Sequence, residues 1–244
     1  MSFSSTITDY VNAAFAGLYV VTSEPDEAAR ELANLCQQAN WGFSQWDVAQ
    51  GVHPGSQLPP GGSGDPMFPI NTPPQKKEGQ ETHLVALHNY HKYLAQPLIF
   101  QTLFNRIKDG KVSRNILVIL APTSGDIPIE IQRVMPVLEH PLPDRAALDA
   151  IARDMGDDSL DDQRAVVILD AAAGLTRYEA EGAFALSLAR QGRIDPESVW
   201  ELKVQTLRKS GLLTLHRGGE RFAALGGLTA LKDFCTAALA HNQR

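Results

Sequence analysis

The sequence predicts an α/β fold, a mostly parallel sheet core followed by a small all-helical domain. Three observations predict it. Short apolar runs rich in β-formers alternate with helical patterns through residues 1–142. The strongest of these runs, residues 115–120, is nearly continuous Ile, Leu and Val, as in a strand buried on both faces of a parallel sheet. Beyond Pro143 the pattern becomes helical, which sets the domains at residues 1–142 and 143–244.

The elements follow in order. Leu18-Tyr19-Val20-Val21 reads as a buried strand, closed by Thr22-Ser23. Glu24-Pro25-Asp26-Glu27 opens a helix, because acids suit the positive end of the helix dipole and proline fits the first turn. That helix places Ala28, Leu32, Leu35 and Cys36 on one face. Phe43-Ser44-Gln45-Trp46 is a second strand, ending at Asp47. Residues 51–79 hold many Gly and Pro and no periodic apolar pattern, so they read as a long mobile loop. His83-Leu84-Val85-Ala86-Leu87 is a strand. A helix over 97–109 follows, with Leu98, Phe100, Leu103, Phe104 and Ile107 as its apolar positions and Gly110 as its end. After the strand at 115–120, residues 127–131 start a helix and residues 134–138 form a last short strand.

In the second domain, Asp144 caps a helix through Leu148 and Ile151, and another covers residues 160–173. Thr176, with Glu179 three residues on, makes a capping box for a third. Asp195-Pro196-Glu197 opens a fourth, running to Lys209.

Composition narrows the function classes. A net charge of -6 disfavours general affinity for nucleic acid or anionic lipid. Cys36 and Cys235 are too scattered for a disulfide framework, which suggests a reducing, cytoplasmic setting. The N-terminus lacks the pattern of a signal peptide, and no apolar run reaches the about 18 residues of a membrane span.

A phosphate site of the P-loop kind needs G-x-x-x-x-G-K-[ST] after the first strand. Its glycines turn backbone N–H groups to the phosphates, its lysine neutralises charge, and its hydroxyl holds Mg²⁺. Here that turn reads Thr22-Ser23-Glu24-Pro25-Asp26-Glu27, without glycine or lysine and with three carboxylates that repel phosphate. Gly61-Gly62-Ser63-Gly64 ends in Asp65-Pro66 and reads as plain loop. The acidic strand end that such a site also requires is replaced by Leu87-His88-Asn89.

His83, His88 and His91 have no Cys or carboxylate beside them, and His83 and His88 point to opposite strand faces, so no metal site is expected. Asp157-Asp158 and Asp161-Asp162 read as a solvated loop and helix start. Trp41, Trp46 and Trp200 read as core or groove aromatics. Because open α/β sheets bind ligands at the carboxyl ends of their strands, Thr22, Ser23, His88, Asn89 and Thr123 are the candidate cleft residues. A winged-helix ending over 212–224 is a rival, with Arg208, Lys209, Arg217 and Arg221 as its nucleic-acid contacts. Asp195, Glu197 and Glu201 on the supposed recognition helix count against it.

The runs THLVALHNYHKYL, NILVILAPTSGDIP and LEHPLPDRAAL, then GLTRYEAEGA, LRKSGLL and ALGGLTALK, together resemble one family. They are similar to the N-terminal half of the AAA+ ATPases of the cyanobacterial and plastid open-reading-frame type. The resemblance implies a P-loop-NTPase-like core without a phosphate loop, with residues from about 143 as its lid. Gly226-Gly227-Leu228 and Leu231-Lys232 would open the second, active module of that type, and positions that would carry catalysis lie beyond Arg244 or are replaced.

The expected function is therefore a non-catalytic, pseudo-ATPase module acting in assembly, regulation or partner docking of an AAA+ ATPase. Its expected partners are proteins, ring subunits or copies of itself. No cofactor is expected, with ATP and Mg²⁺ bound only through an unseen site. The alternatives are winged-helix nucleic-acid binding, a nucleotide sensor, and an enzyme with a site near Thr22, His88 and Thr123.

Overall fold

A computed structural model describes residues 2–125, 127–157, 160–209 and 226–241. Its sheet has six strands in the order β3-β2-β4-β5-β1-β6. These are β1 (Gly17–Val21), β2 (Gly42–Asp47), β3 (Gly51–Val52), β4 (His83–His88), β5 (Asn115–Ala121) and β6 (Val137–Glu139). All neighbours pair in parallel except β2 with β3.

Residue alternation divides the core in two. Leu18 and Val20 of β1, Leu84 and Ala86 of β4, and Ile116, Val118 and Leu120 of β5 meet helices α1 (Phe3–Asn12) and α2 (Pro25–Gln38). Tyr19, Val85, Leu87, Leu117 and Ile119 face the other way, onto α4 (Pro97–Ser113) and two short helices, α3 (Phe68–Asn71) and α5 (Ile129–Gln132). Strands sandwiched in this way need apolar residues at every position, which is why their sequences run unbroken. Burying each Leu- or Ile-sized side chain contributes about 1.5–3 kcal/mol.

The structure departs from expectation at four places. Helix α1 was not anticipated; Phe3, Ile7 and Val11 recur every four residues on its buried face, and the Ser5 N–H donates to Ser2 Oγ at its start (3.2 Å). Gly110 does not end α4. It lies inside the helix, where an added Cβ would come within 2.4 Å of the Asn115 carbonyl oxygen, so glycine allows a close helix–strand approach. The end falls at Arg114, which adopts a left-handed conformation (φ 56°) and donates from its guanidinium to the Val11 carbonyl. On α4 the buried positions are Ile99, Leu103 and Ile107, whereas Leu98 is exposed.

Residues 51–79, expected to lack structure, carry β3 and α3 and place Leu58 and Ile70 in the core. The buried Trp46 indole donates to the Gly62 carbonyl (2.9 Å), and the Ser44 hydroxyl accepts the N–H groups of Gln57 and Leu58 (3.0 Å each). Lys76 donates to the carbonyls of Glu81 and Ser113 (2.6 Å each). Polar side chains of β2 and of the segment itself thus supply the ordering that an apolar period would otherwise supply.

The second half holds α6 (Arg145–Asp154), α7 (Asp162–Ala172), α8 (Arg177–Gln191) and α9 (Pro196–Lys209). Leu148, Ile168, Phe184, Ile194 and Val199 form a core of their own. Asp144 accepts from the Ala147 N–H (2.8 Å), and the Thr176–Glu179 capping box is complete. A further helix, α10 (Thr229–His241), follows, with Leu231 and Phe234 exposed. The strand and turn expected over 212–224 lie outside the described residues. Among the described residues no helix is long and apolar enough to cross a membrane.

Two predictions follow from burial. His83 is fully buried against Ser44 Oγ (3.0 Å), and burial, then the Lys76 ammonium, push its imidazole down to about 4. In the unfolded chain a histidine titrates near about 6.5, so between these values only the unfolded chain binds the proton. Stability is therefore complete above the unfolded value and falls by roughly 3 kcal/mol as pH drops to the folded one. Urea unfolding at both ends of this window should show a smaller difference for His83→Gln; an unchanged difference would refute the assignment. Burial also pushes the Cys36 thiol up to about 12, while Cys235 is partly exposed. Because the thiolate is the reactive form, a disulfide-exchange reagent at neutral pH should modify Cys235 first and Cys36 only on unfolding. Equal rates for the two would contradict this.

Candidate functional site

The parallel register brings the carboxyl ends of β1, β4 and β5 level, since Val21 pairs with Ala121 and His88 with Leu120. The candidates read from the sequence sit along this edge, but they do not converge on one point. Thr22 is buried; its hydroxyl accepts the Glu24 N–H (3.0 Å) and lies 3.1 Å from His140 Nδ1. Ser23 is exposed. Asn89 is left-handed (φ 52°) and starts the turn Tyr90–Tyr93. Thr123 is turned to its own loop, accepting the Gly125 N–H at its hydroxyl (3.0 Å) and the Tyr19 hydroxyl at its carbonyl (2.6 Å).

His88 belongs to a separate group. Its ring stacks on His53 with centroids 5.4 Å apart, and its Nε2 lies 3.3 Å from Gln45 Oε1. His53 Nε2 meets Asp47 Oδ2 at 2.5 Å, while Asp47 Oδ1 accepts from Ala49 and Gln50. Burial pushes the Asp47 carboxyl up, but the Gln50 N–H, the His53 ring and the Ala49 N–H together hold it below the usual carboxylate range. Burial, then the neighbouring His53, lowers His88, so it is neutral near pH 7. Among the described residues no group of His, Cys, Asp and Glu could hold a metal ion.

The larger feature is a cleft between the sheet edge and the helical domain. It comprises two adjoining cavities, of about 370 and 800 Å³, which share Glu24, Glu27 and Arg177. Glu24, Glu27 and Glu31 are spaced three and four apart and so share one side of α2 and its leading turn. Glu24 Oε1 accepts the Tyr178 N–H in the first turn of α8 (3.3 Å). Arg177 lies 4.0 Å from Glu27 and 2.8 Å from Glu181, and Arg30 also pairs with Glu27. The core thus places its own carboxylate at a helix N-terminus, where free N–H groups and the dipole attract anions. Pro25 at the start of α2 removes an N–H that an external anion would need.

On the inner wall His140 continues from β6, its N–H donating to the Val21 carbonyl (2.9 Å). Its side chain is 3% exposed, its Nε2 is 3.5 Å from Glu31 Oε1, and Phe3 meets the ring edge-on (4.8 Å). Thr22, His140 and Glu31 form a row in the order nucleophile, base, acid. The Thr22 hydroxyl is buried, however, so the row ties β1, β6 and α2 together rather than meeting a substrate. His140, Glu31, Arg177 and Tyr178 escaped the sequence reading because they lie far apart in the chain. The visible signal was the spacing of Glu24, Glu27 and Glu31. Of the basic residues proposed for nucleic acid, Arg208 and Lys209 belong to the last turn of α9, and Arg217 and Arg221 lie outside the described residues.

The family model described as SpoVK-like AAA ATPase, N-terminal domain, matches residues 3–140. The model for the second domain of the same family matches residues 145–210. No curated protein matches the chain. Among solved structures, the AAA domain of FIGL-1 in complex with ADP aligns with a TM-score of 0.53 at 10% identity, covering 91% of this chain and 78% of that one. The Thermotoga maritima RuvB Holliday junction branch migration motor aligns with a TM-score of 0.50 at 14% identity, covering 81% of this chain and 67% of that one. At such identities the likeness is one of fold, the α/β core and helical domain of AAA+ P-loop ATPases.

If Glu24 holds the first turn of α8, Glu24→Ala should weaken that attachment by roughly 1 kcal/mol. Amide hydrogen exchange at Tyr178 should quicken accordingly while the buried strands keep their protection. Unchanged exchange at Tyr178 would show that the contact holds nothing.

Proposed function

The chain belongs to the SpoVK-like AAA ATPase family, and on that premise we propose that it is a non-catalytic, pseudo-ATPase module acting in assembly, regulation or partner docking of an AAA+ ATPase. One observation carries this reading. The turn after β1, where a P-loop ATPase holds phosphate, offers Glu24, Asp26 and Glu27 in place of glycines and lysine. Glu24 moreover engages the Tyr178 N–H of α8. A nucleotide phosphate would meet carboxylates on one side and an occupied helix terminus on the other.

Two further features support the reading. The end of β4 presents His88 and Asn89 instead of a carboxylate for Mg²⁺ and water. Exposed Leu231 and Phe234 on α10 offer apolar surface of the kind protein partners cover. The sequence likeness to the cyanobacterial and plastid open-reading-frame type agrees, because that type combines a module lacking a phosphate loop with an active one. In this reading the helical domain is a lid held by internal carboxylates, and the module gives a ring its shape while a neighbour supplies catalysis.

Calorimetric titration of the full chain with MgATP and MgADP, followed by phosphate release, tests the proposal. Neither heat of binding nor turnover is expected up to millimolar nucleotide. Turnover that survives purification would overturn it. Binding without turnover would replace it with a nucleotide sensor.

A further inference from the structure

We propose that Asp47, His53 and His88 form an acid-released latch, which holds the β2–β3 turn and the first residues of segment 51–79 against the carboxyl end of β4. The inference stands apart from the non-catalytic reading, since it concerns the order of this edge and involves no nucleotide.

The geometry joins the turn to the strand at one point. Asp47 ends β2, and its Oδ1 accepts the Ala49 and Gln50 N–H groups, which shapes the turn into β3. Its Oδ2 meets the ring of His53, the residue after β3, whose own N–H donates to the Gln45 carbonyl (3.0 Å). The His53 ring lies nearly parallel to that of His88, 11° apart with centroids at 5.4 Å. Ser56 Oγ accepts the Gln45 N–H (3.1 Å), so the chain beyond His53 is held by the same strand.

The charged groups acting on the His88 ring are His53, Asp26 in the first turn of α2, and Asp47. β5, the other neighbour of β4, ends in Ala121, Pro122 and Thr123 and brings no charge, and Lys92 in the turn after β4 is exposed. The His88 side chain is 7% exposed, so a proton on it would be poorly solvated. Both Asp47 oxygens are already engaged. Asp26 lies 3.9 Å from His88 Nδ1 but is 98% exposed, where water screens its charge. With His53 paired to Asp47 as a cation, a proton on His88 would stack two like charges. Burial and then His53 lower the His88 imidazole accordingly. Once the turn lifts away, His88 meets water and takes up its proton near about 6.5. Just below that value only the open form binds the proton. The latch is therefore complete above it and weakens as pH falls towards the lower value of the closed form.

Hydrogen exchange of the full chain, corrected for the intrinsic rate at each pH, tests this at the Val52 and His53 amides, which donate to Gly61 and Gln45. Opening at both should rise about tenfold between about pH 6.5 and about pH 5. His88→Gln should abolish that rise. His83→Gln, which removes the separate buried histidine, should leave it in place. No rise in the unaltered chain, a rise of the same size in His88→Gln, or loss of the rise in His83→Gln overturns the proposal. The His88 ring-proton signal of the unaltered chain supplies a test that needs no variant to fold. It should titrate below about 6.5, and titration at or above that value overturns the latch.

Discussion

Burial of β5 and β1 on both faces is the constraint from which the other features follow. A strand between two layers exposes no side to water, so each residue must suit one apolar layer or the other. Leu117 and Ile119 serve one layer, Ile116, Val118 and Leu120 the other. Parallel pairing then sends each connection back over a face of the sheet and collects the strand ends along one edge. The register that buries Val118 beside Leu18 also brings Thr22, His88 and the loop of Thr123 to that edge.

The chemistry of the edge comes from the turns that leave it. In the turn after β1, Pro25 starts α2 without an N–H, and Glu24 extends to the neighbouring domain. Carboxylates that would oppose a phosphate become useful once the N-terminus of α8 and Arg177 approach. These acids thus supply an attachment between the core and the helical domain. His140 links these layers: its backbone extends the β1–β6 pairing while its ring stands among Thr22, Glu31 and Phe3.

The second polar group, Asp47, His53 and His88, illustrates how segment 51–79 becomes ordered. Its glycines and prolines carry no repeating apolar signal, yet Trp46, Ser44 and Lys76 fix it through backbone hydrogen bonds. Gly62 (φ 76°) lies so close to Phe68 that an added Cβ would come within 2.5 Å of its ring, so compactness here depends on a missing side chain. Such order comes from donors and acceptors meeting across the fold, which no local periodicity records.

The amino-acid sequence by itself determined the elements whose cause is local. The apolar runs of β1, β4 and β5, the proline and acids opening α2, the Thr176–Glu179 box and the Asp144 cap act within a few residues. The turn Thr22-Ser23-Glu24-Pro25-Asp26-Glu27 after β1 can be read as directly, without glycine or lysine, whereas the position of Thr22, Ser23, His88, Asn89 and Thr123 along one sheet edge depends on the parallel register. Tertiary structure alone decided that α4 runs past Gly110 to close against Asn115, and that Thr22 meets His140 rather than His88. It also decided that Glu24 reaches Tyr178, 154 residues away. The physical reason is range. Propensity, capping and dipole effects fall off within a turn, whereas a buried acceptor finds its donor, or lacks one, only when separate layers have packed.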